Sequence, residues 1–292
     1  MRGQIIESIF QRMAVDKDLF FLTADMGINL VEKFEEKYPQ RFANVGISEQ
    51  SLVGVSAGLA NLGYRPFAYT ITNFAVHRCF EQIRNDIGIH EYPITLLGTS
   101  TGYDNAPLGP THHIIDDWGS VKALPGIDIY CPASTAYAAS LVDRIIKAGR
   151  PAFVRIPKGE FKAPNSDDDV VKFPGAKSDV LLVSYGTPAQ NCLEVQKRDG
   201  RVSVLVISKL KPLDARAISD MLAPHARIFV VEDHVPGPGL YGSLCEVVAQ
   251  HPVKGRLFSV APDGYTFDVG NSSDYFYRKY GIDVESLLKA VN

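Results

Sequence analysis

Glu49 stands directly behind Ser48 at the head of "SEQSLVGVSAGLANLG", a run otherwise built almost wholly from small and apolar residues. A carboxylate there has two physical uses. As a first-turn acid it complements the positive end of a helix dipole. As a desolvated carboxyl it favours its neutral form and shares a proton with a ligand. The local sequence leaves both open. Three more places carry reactive chemistry: Asp25 in "TADMG", Phe74 in "ITNF", and the pair His112 and His113 in "GPTHH". Imidazoles donate or accept hydrogen bonds near neutral pH, and an aromatic face can stack on a flat ligand.

The elements that must position these residues follow from hydrophobic patterning. Around Glu49, Ser48 is a good N-cap and Gly63 a plausible stop, so a helix is expected between them. Leu52, Val55, Leu59 and Leu62 form its apolar stripe, while Gly54, Ser56, Ala57, Gly58 and Ala60 leave the other faces small. Such a helix is expected to be buried all round, with a second helix or subunit close against it. Elsewhere, short apolar runs at 19–24, 42–46, 65–71, 94–100, 127–133 and 152–157 alternate with helical segments. These runs lack strict in/out alternation, as strands covered on both faces do, and the repetition predicts an α/β fold with a parallel sheet.

A stretch rich in charge, Pro and Asn follows "VRIPKG", and a second α/β series then runs through strands at 180–186, 202–208, 227–233 and 255–261, with helices at 187–198, 214–222, 240–250 and 283–291. Two doubly wound domains are therefore expected, at 1–158 and 179–292, joined by a linker at 159–178. Glu232, Asp233 and His234 form a charged cluster at a strand end of the second, where a doubly wound sheet can also carry a site.

Composition excludes several classes. A formal net charge of −3 and the lack of a basic footprint argue against a nucleic-acid partner. No apolar run reaches the roughly 20 residues needed to span a bilayer. Cys79, Cys131, Cys192 and Cys245 are scattered without CxxC spacing, which suits reduced thiols in the cytoplasm rather than a disulfide or zinc framework.

Taken in order, "TADMG", "NVGISEQ", "ITNF", "GPTHH" and "LPGIDIYCPAS" resemble the pyrimidine-binding domain of transketolase. The later "VVEDHVPGPGLYGSL" and "YGIDVESLL" resemble that family's C-terminal domain. The resemblance implies thiamine diphosphate as cofactor. Glu49 matches the family glutamate that hydrogen-bonds N1′ of the aminopyrimidine and so activates the cofactor; Phe74 matches the aromatic that stacks on that ring. Asp25 corresponds to an acid near the thiazolium end, while Ile71 and His77 replace two neighbouring family aromatics. His112 matches a histidine that contacts donor oxygens, and His113 stands where the family usually has Gln.

Departures from the family pattern concern the substrate. Leu108 replaces an acid that recognises an acceptor hydroxyl, Ser100 replaces a substrate-contacting histidine, and Asn29 replaces a phosphate-binding serine. Arg155 in "FVRIP" keeps a phosphate-binding position, with Arg2 a second candidate. An unusual, less hydroxylated acceptor is one implication.

The sequence contains no "GDG"; the nearest strings, "RDG" at 198–200 and "PDG" at 262–264, lack a following Asn-bearing metal pattern. No metal ligand is therefore assigned in this chain. The resemblance implies that Mg²⁺ and the diphosphate are held by a separate alpha subunit, in an α2β2 assembly with the cofactor at each heterologous interface. The function implied is that of the beta subunit of a split transketolase, moving a two-carbon ketol unit from a ketose or ketose phosphate to an aldehyde or related acceptor. A 2-oxo-acid dehydrogenase-type beta subunit shares the architecture, although "GPTHH" favours transketolase. A non-catalytic partner chain is the alternative of another class.

Overall fold

In the computed structural model, which describes residues 1–159, 161, 166–176 and 179–292, the two α/β series build two sheets. The strands are β1 (Leu19–Thr23), β2 (Phe42–Asn44), β3 (Arg65–Ile71), β4 (Thr95–Thr99), β5 (Asp128–Tyr130), β6 (Ala152–Ile156), β7 (Val170–Phe173), β8 (Val180–Ser184), β9 (Ser203–Ile207), β10 (Lys209–Lys211), β11 (Arg227–Val231) and β12 (Arg256–Val260). The first sheet has the order β10-β5-β6-β4-β3-β1-β2 and the second β12-β11-β8-β9-β7. All pairings are parallel except β10 on β5 and β7 on β9.

Helices cover both sheets: α1 (Arg2–Val15), α2 (Glu32–Lys37), α3 (Glu49–Asn61), α4 (Thr72–Val76), α5 (Phe80–Gln82, continuing as a π-helical segment to Ile89), α6 (Asp117–Lys122), α7 (Thr135–Ala148), α8 (Pro188–Arg198), α9 (Ala215–Leu222), α10 (Leu240–Gln250), α11 (Ser273–Lys279) and α12 (Val284–Val291). Their ends follow local chemistry. Ser134 accepts from the Tyr137 N–H to start α7, and Gly149 at φ 61° ends it in the left-handed region that favours glycine. Asp214 and Asp283 cap α9 and α12 in the same way.

On one face of the first sheet, Ile5, Ile6, Ile9 and Met13 of α1 pack with Leu141, Val142 and Ile145 of α7. The other face belongs to a cluster that runs from Leu52, Val53 and Ile83 through Trp118 into Leu181, Val183, Leu205 and Ile207 of the second sheet. The two sheets thus share one continuous core. Two strands fall outside the expected pattern. Val170–Phe173, within the stretch read as linker, forms edge strand β7. Lys209–Lys211 crosses back to form β10, the antiparallel edge of the first sheet. Both are short and at edges, where periodicity is weakest. Part of the expected linker, residues 160, 162–165 and 177–178, lies outside the described residues.

Within this single chain, helix α3 packs on one face only. It is not buried all round: Glu49, Leu52, Val53, Ser56 and Ala60 face inward, whereas Val55 is 42% and Leu62 75% exposed and Gly54 and Gly58 meet no neighbour. The apolar stripe turns toward the sheet on the residues beside Leu52 rather than along Leu52, Val55 and Leu62. Ser48 occupies the N-cap position without a side-chain cap, since its hydroxyl bonds to Ser51 Oγ at 2.7 Å.

Candidate functional site

In the first sheet the chain leaves β1 for β2 on one side and returns to β3 on the other, so the carboxyl ends of these strands open a crevice at the point where strand order reverses. The exit of β2 turns through Gly46 at φ 72° and delivers Glu49 as the first residue of α3. The exit of β3 delivers α4, with Phe74 half-buried upon it. The exit of β4 delivers the loop that carries His112. Asn73 Nδ2 donates to the Thr111 carbonyl at 2.6 Å and fastens this loop to α4.

Glu49 is 2% exposed. Its Oε2 accepts from Arg78 Nη1 at 2.6 Å, and the Arg78 guanidinium lies 4.4 Å from the centroid of the Phe74 ring. Phe74 in turn meets the His112 ring edge to face at 5.4 Å. The His112 Nδ1 is 3.0 Å from Thr111 Oγ1. Glu49, Arg78, Phe74 and His112 are therefore one continuous group. Beside it, His77 Nε2 is 3.0 Å from Asp116 Oδ1, and this partner raises the imidazole pKa against the opposing effect of burial. Asp116 also accepts from the hydroxyl of Tyr265 at 2.5 Å, a residue of the second domain. Burial works against its charge, but the His77 and Tyr265 hydrogen bonds prevail and hold its pKa low.

Three further expected residues sit at neighbouring strand exits in strained backbone. Asp25 has φ 50°, Asn29 φ 64° and Ser100 φ 65°, the left-handed region that non-glycine residues seldom adopt. Asn44 Oδ1 accepts the backbone N–H groups of both Asp25 and Gly46, each at 3.0 Å, tying the exits of β1 and β2 together. Asn29 N–H donates to Glu32 Oε1 at 2.8 Å, and Ser100 N–H to the Ile156 carbonyl at 3.2 Å. Ile71 is half-buried at the N-cap of α4.

Two expected substrate residues lie elsewhere. Arg155 is fully buried, its Nε 2.7 Å from Asp117 Oδ2 and its Nη1 3.0 Å from Asp233 Oδ1, so its charge is already matched inside the domain boundary. In this chain its guanidinium faces those two carboxylates. His113 packs against Tyr103 and Phe276, at ring separations of 5.3 and 4.7 Å, and a ring nitrogen lies 3.3 Å from the Ala106 carbonyl; burial lowers its pKa. The Glu232, Asp233 and His234 cluster is also fully buried, because Arg155, Asp117 and Trp118 of the first domain fill the crevice of the second sheet.

The sequence pointed to Glu49, Phe74, His77 and His112, which the fold brings into one region. It did not single out Arg78, Asn73, Thr111 or Asp116, although the first three adjoin residues already marked. Tyr265 had no local signal, being 149 residues from its partner. Among the described residues no group of three or more His, Cys, Asp or Glu is placed to hold a metal ion, and no helix is long and apolar enough to cross a membrane.

Residues 3–164 match the transketolase pyrimidine binding domain and residues 170–287 the transketolase C-terminal domain. The chain belongs to the transketolase family. It is 27% identical over 299 residues to an apulose-4-phosphate transketolase subunit of Phocaeicola vulgatus, an alignment covering 99% of this chain and 95% of that one. The protein of the same name from Actinobacillus succinogenes is 28% identical over 271 residues, covering 88% and 86%. Among solved structures, a split gene transketolase described as an inactive beta4 tetramer superposes with a TM-score of 0.87 at 25% identity, covering 99% of this chain and 96% of that one. A buried carboxylate, a half-open aromatic face and an imidazole, converging at the switch point of a transketolase pyrimidine domain, fit the pyrimidine half of thiamine diphosphate.

Proposed function

We propose that this chain is the beta subunit of a split, thiamine-diphosphate-dependent transketolase, transferring a two-carbon ketol unit between a ketose donor and an aldehyde-type acceptor. The observation that carries the reading is Glu49, 2% exposed at the head of α3 and joined through Arg78 to the ring of Phe74. Bound thiamine diphosphate supplies the nucleophilic carbon and the electron sink that ketol transfer needs. Glu49 would hold N1′ of the aminopyrimidine through its buried carboxyl group, the position of an acid–base partner for that ring. Phe74 would take the face of the ring, with Ile71 and His77 beside it, and Asp25 would serve the thiazolium end. His112 donates to or accepts from the donor oxygens. Asn29 and Ser100 border the substrate, while Leu108, 57% exposed, offers an apolar surface where a sugar-phosphate enzyme has an acid. That substitution supports an acceptor with fewer hydroxyls.

The partner is a separate alpha chain that carries the diphosphate and Mg²⁺ ligands, in an α2β2 assembly. Its support is the likeness, over nearly the whole chain, to two proteins named as transketolase subunits and to a split-gene structure. The test mixes this chain with a candidate alpha chain containing "GDG", adds thiamine diphosphate and Mg²⁺, and measures ketol transfer from ketose phosphates. Transfer by the mixture and by neither chain alone is expected. No cofactor binding by the mixture sinks the proposal, and consumption of a 2-oxo acid without ketose use redirects it to the dehydrogenase-type reaction.

A further inference from the structure

Between Glu49 and Phe74 stands a side chain of this same protein, Arg78. Arg78 puts one guanidinium nitrogen 2.6 Å from Glu49 Oε2 and its central carbon 4.4 Å from the Phe74 centroid. A guanidinium is planar, delocalised and N–H-donating, and it satisfies a carboxylate at its edge and an aromatic ring at its face. The amidine edge of a protonated aminopyrimidine has the same three properties. One side chain therefore engages both of the groups proposed above to hold the cofactor ring.

From this geometry we infer that Arg78 is an affinity-determining residue of the cofactor site: an internal occupant that competes with the aminopyrimidine and must swing out before the ring can enter. The inference rests on the assignment of Glu49 and Phe74 as the pyrimidine-binding pair. The chain is built for such a swing. The backbone of Arg78 is fixed, with its carbonyl accepting from Gln50 Nε2 at 3.1 Å, while its side chain is 44% exposed and opens to solvent. A guanidinium this exposed keeps its hydration when it swings away from Glu49. While Arg78 is in place it occupies Glu49 Oε2, so its departure also frees that oxygen for the incoming ring. If Arg78 fills the cleft nine-tenths of the time, apparent affinity for any competing ligand falls by about tenfold.

The experiment compares the full chain with its Arg78→Ala and Arg78→Gln variants, using two probes, acetamidinium and thiamine diphosphate, by titration calorimetry and ligand-observed NMR. Arg78→Gln keeps the side-chain stem and controls for folding, which circular dichroism checks. Both variants are expected to bind acetamidinium about tenfold more tightly than the unaltered chain, and adding Glu49→Gln to either is expected to abolish the gain. Failure of either variant to bind acetamidinium more tightly overturns the inference, as does a gain that survives Glu49→Gln. The second probe separates this outcome from the fate of the proposed function. A gain for acetamidinium, with no thiamine diphosphate bound by any chain alone or with its partner, leaves Arg78 as the occupant and removes the cofactor assignment. Thiamine diphosphate bound less tightly by the variants than by the unaltered chain keeps the cofactor assignment and overturns the competition.

Discussion

Arg155, the fourth residue of β6, and Asp233 at the exit of β11 join the two domains through a fully buried contact of 3.0 Å. Asp117 completes the arrangement at 2.7 Å from Arg155 Nε. Replacing Arg155 by Leu leaves two carboxylates buried without their cation, which costs about 3–5 kcal/mol. Urea unfolding should show an unfolding free energy lowered by that amount. A loss below about 1 kcal/mol would mean that the pair does not hold the domains together.

Gly102 provides an independent probe of the same boundary. It has φ 52°, and a Cβ there would lie 2.1 Å from Asp233 Oδ2. Gly102→Ala combines backbone strain with a steric clash and should destabilise by about 1–3 kcal/mol. Thermal unfolding checks this, and an unchanged midpoint would show that Asp233 moves aside freely.

The buried groups behind that boundary make stability depend on pH in two opposite ways. The Val235 carbonyl 2.7 Å from His234 Nδ1 can only accept, and the Gly119 N–H 3.3 Å from Nε2 can only donate, so the imidazole is neutral with its proton on Nδ1. Burial pushes its pKa from 6.5 down to about 3. The unfolded chain therefore binds a proton there first, and the associated stability, complete above pH 6.5, is lost as pH falls toward 3. Glu232 is the reverse case, pushed by burial from 4.5 up to about 8 despite hydrogen bonds from the Leu240 and Tyr241 amides and the Tyr185 hydroxyl. Its stability is complete below pH 4.5 and is lost as pH rises toward 8. Urea midpoints from pH 3 to 8 should fall less steeply in acid for His234→Gln and less steeply in base for Glu232→Gln. Parallel curves for variant and unaltered chain would contradict the assignment.

Phe74→Ala tests the ring face directly. Loss of stacking removes about 0.5–1.5 kcal/mol beyond simple burial, so the thiamine diphosphate concentration for half-saturation should rise at least about 2- to 13-fold in the assembled enzyme. An unchanged value would return Phe74 to the status of a core aromatic.

The sequence made the sheets legible because their strands are apolar on both faces; all five residues of β4, β6, β8 and β9 are buried. Strands β7 and β10 were not, since three or four residues at an edge carry no period. Which side of α3 faces inward was also hidden. Its inward face includes Glu49 and Ser56, so hydrophobicity alone selects the wrong rows. Glu49, Phe74 and His112 could be picked out because motifs mark them, whereas no pattern in "FVRIP" reveals that Arg155 pairs with Asp233, 78 residues away. Arg78 escaped notice for a related reason: only the folded chain places it over both Glu49 and Phe74.

The most direct measurement is turnover of the assembled enzyme with Glu49 replaced by Gln, which keeps the shape of the side chain and removes its acid. Ketol transfer should fall by more than about 100-fold, the scale of a lost general acid–base group, while sedimentation shows the assembly with the alpha chain unchanged. Full activity in an intact Glu49→Gln assembly would contradict the role of Glu49 and with it the account of this site.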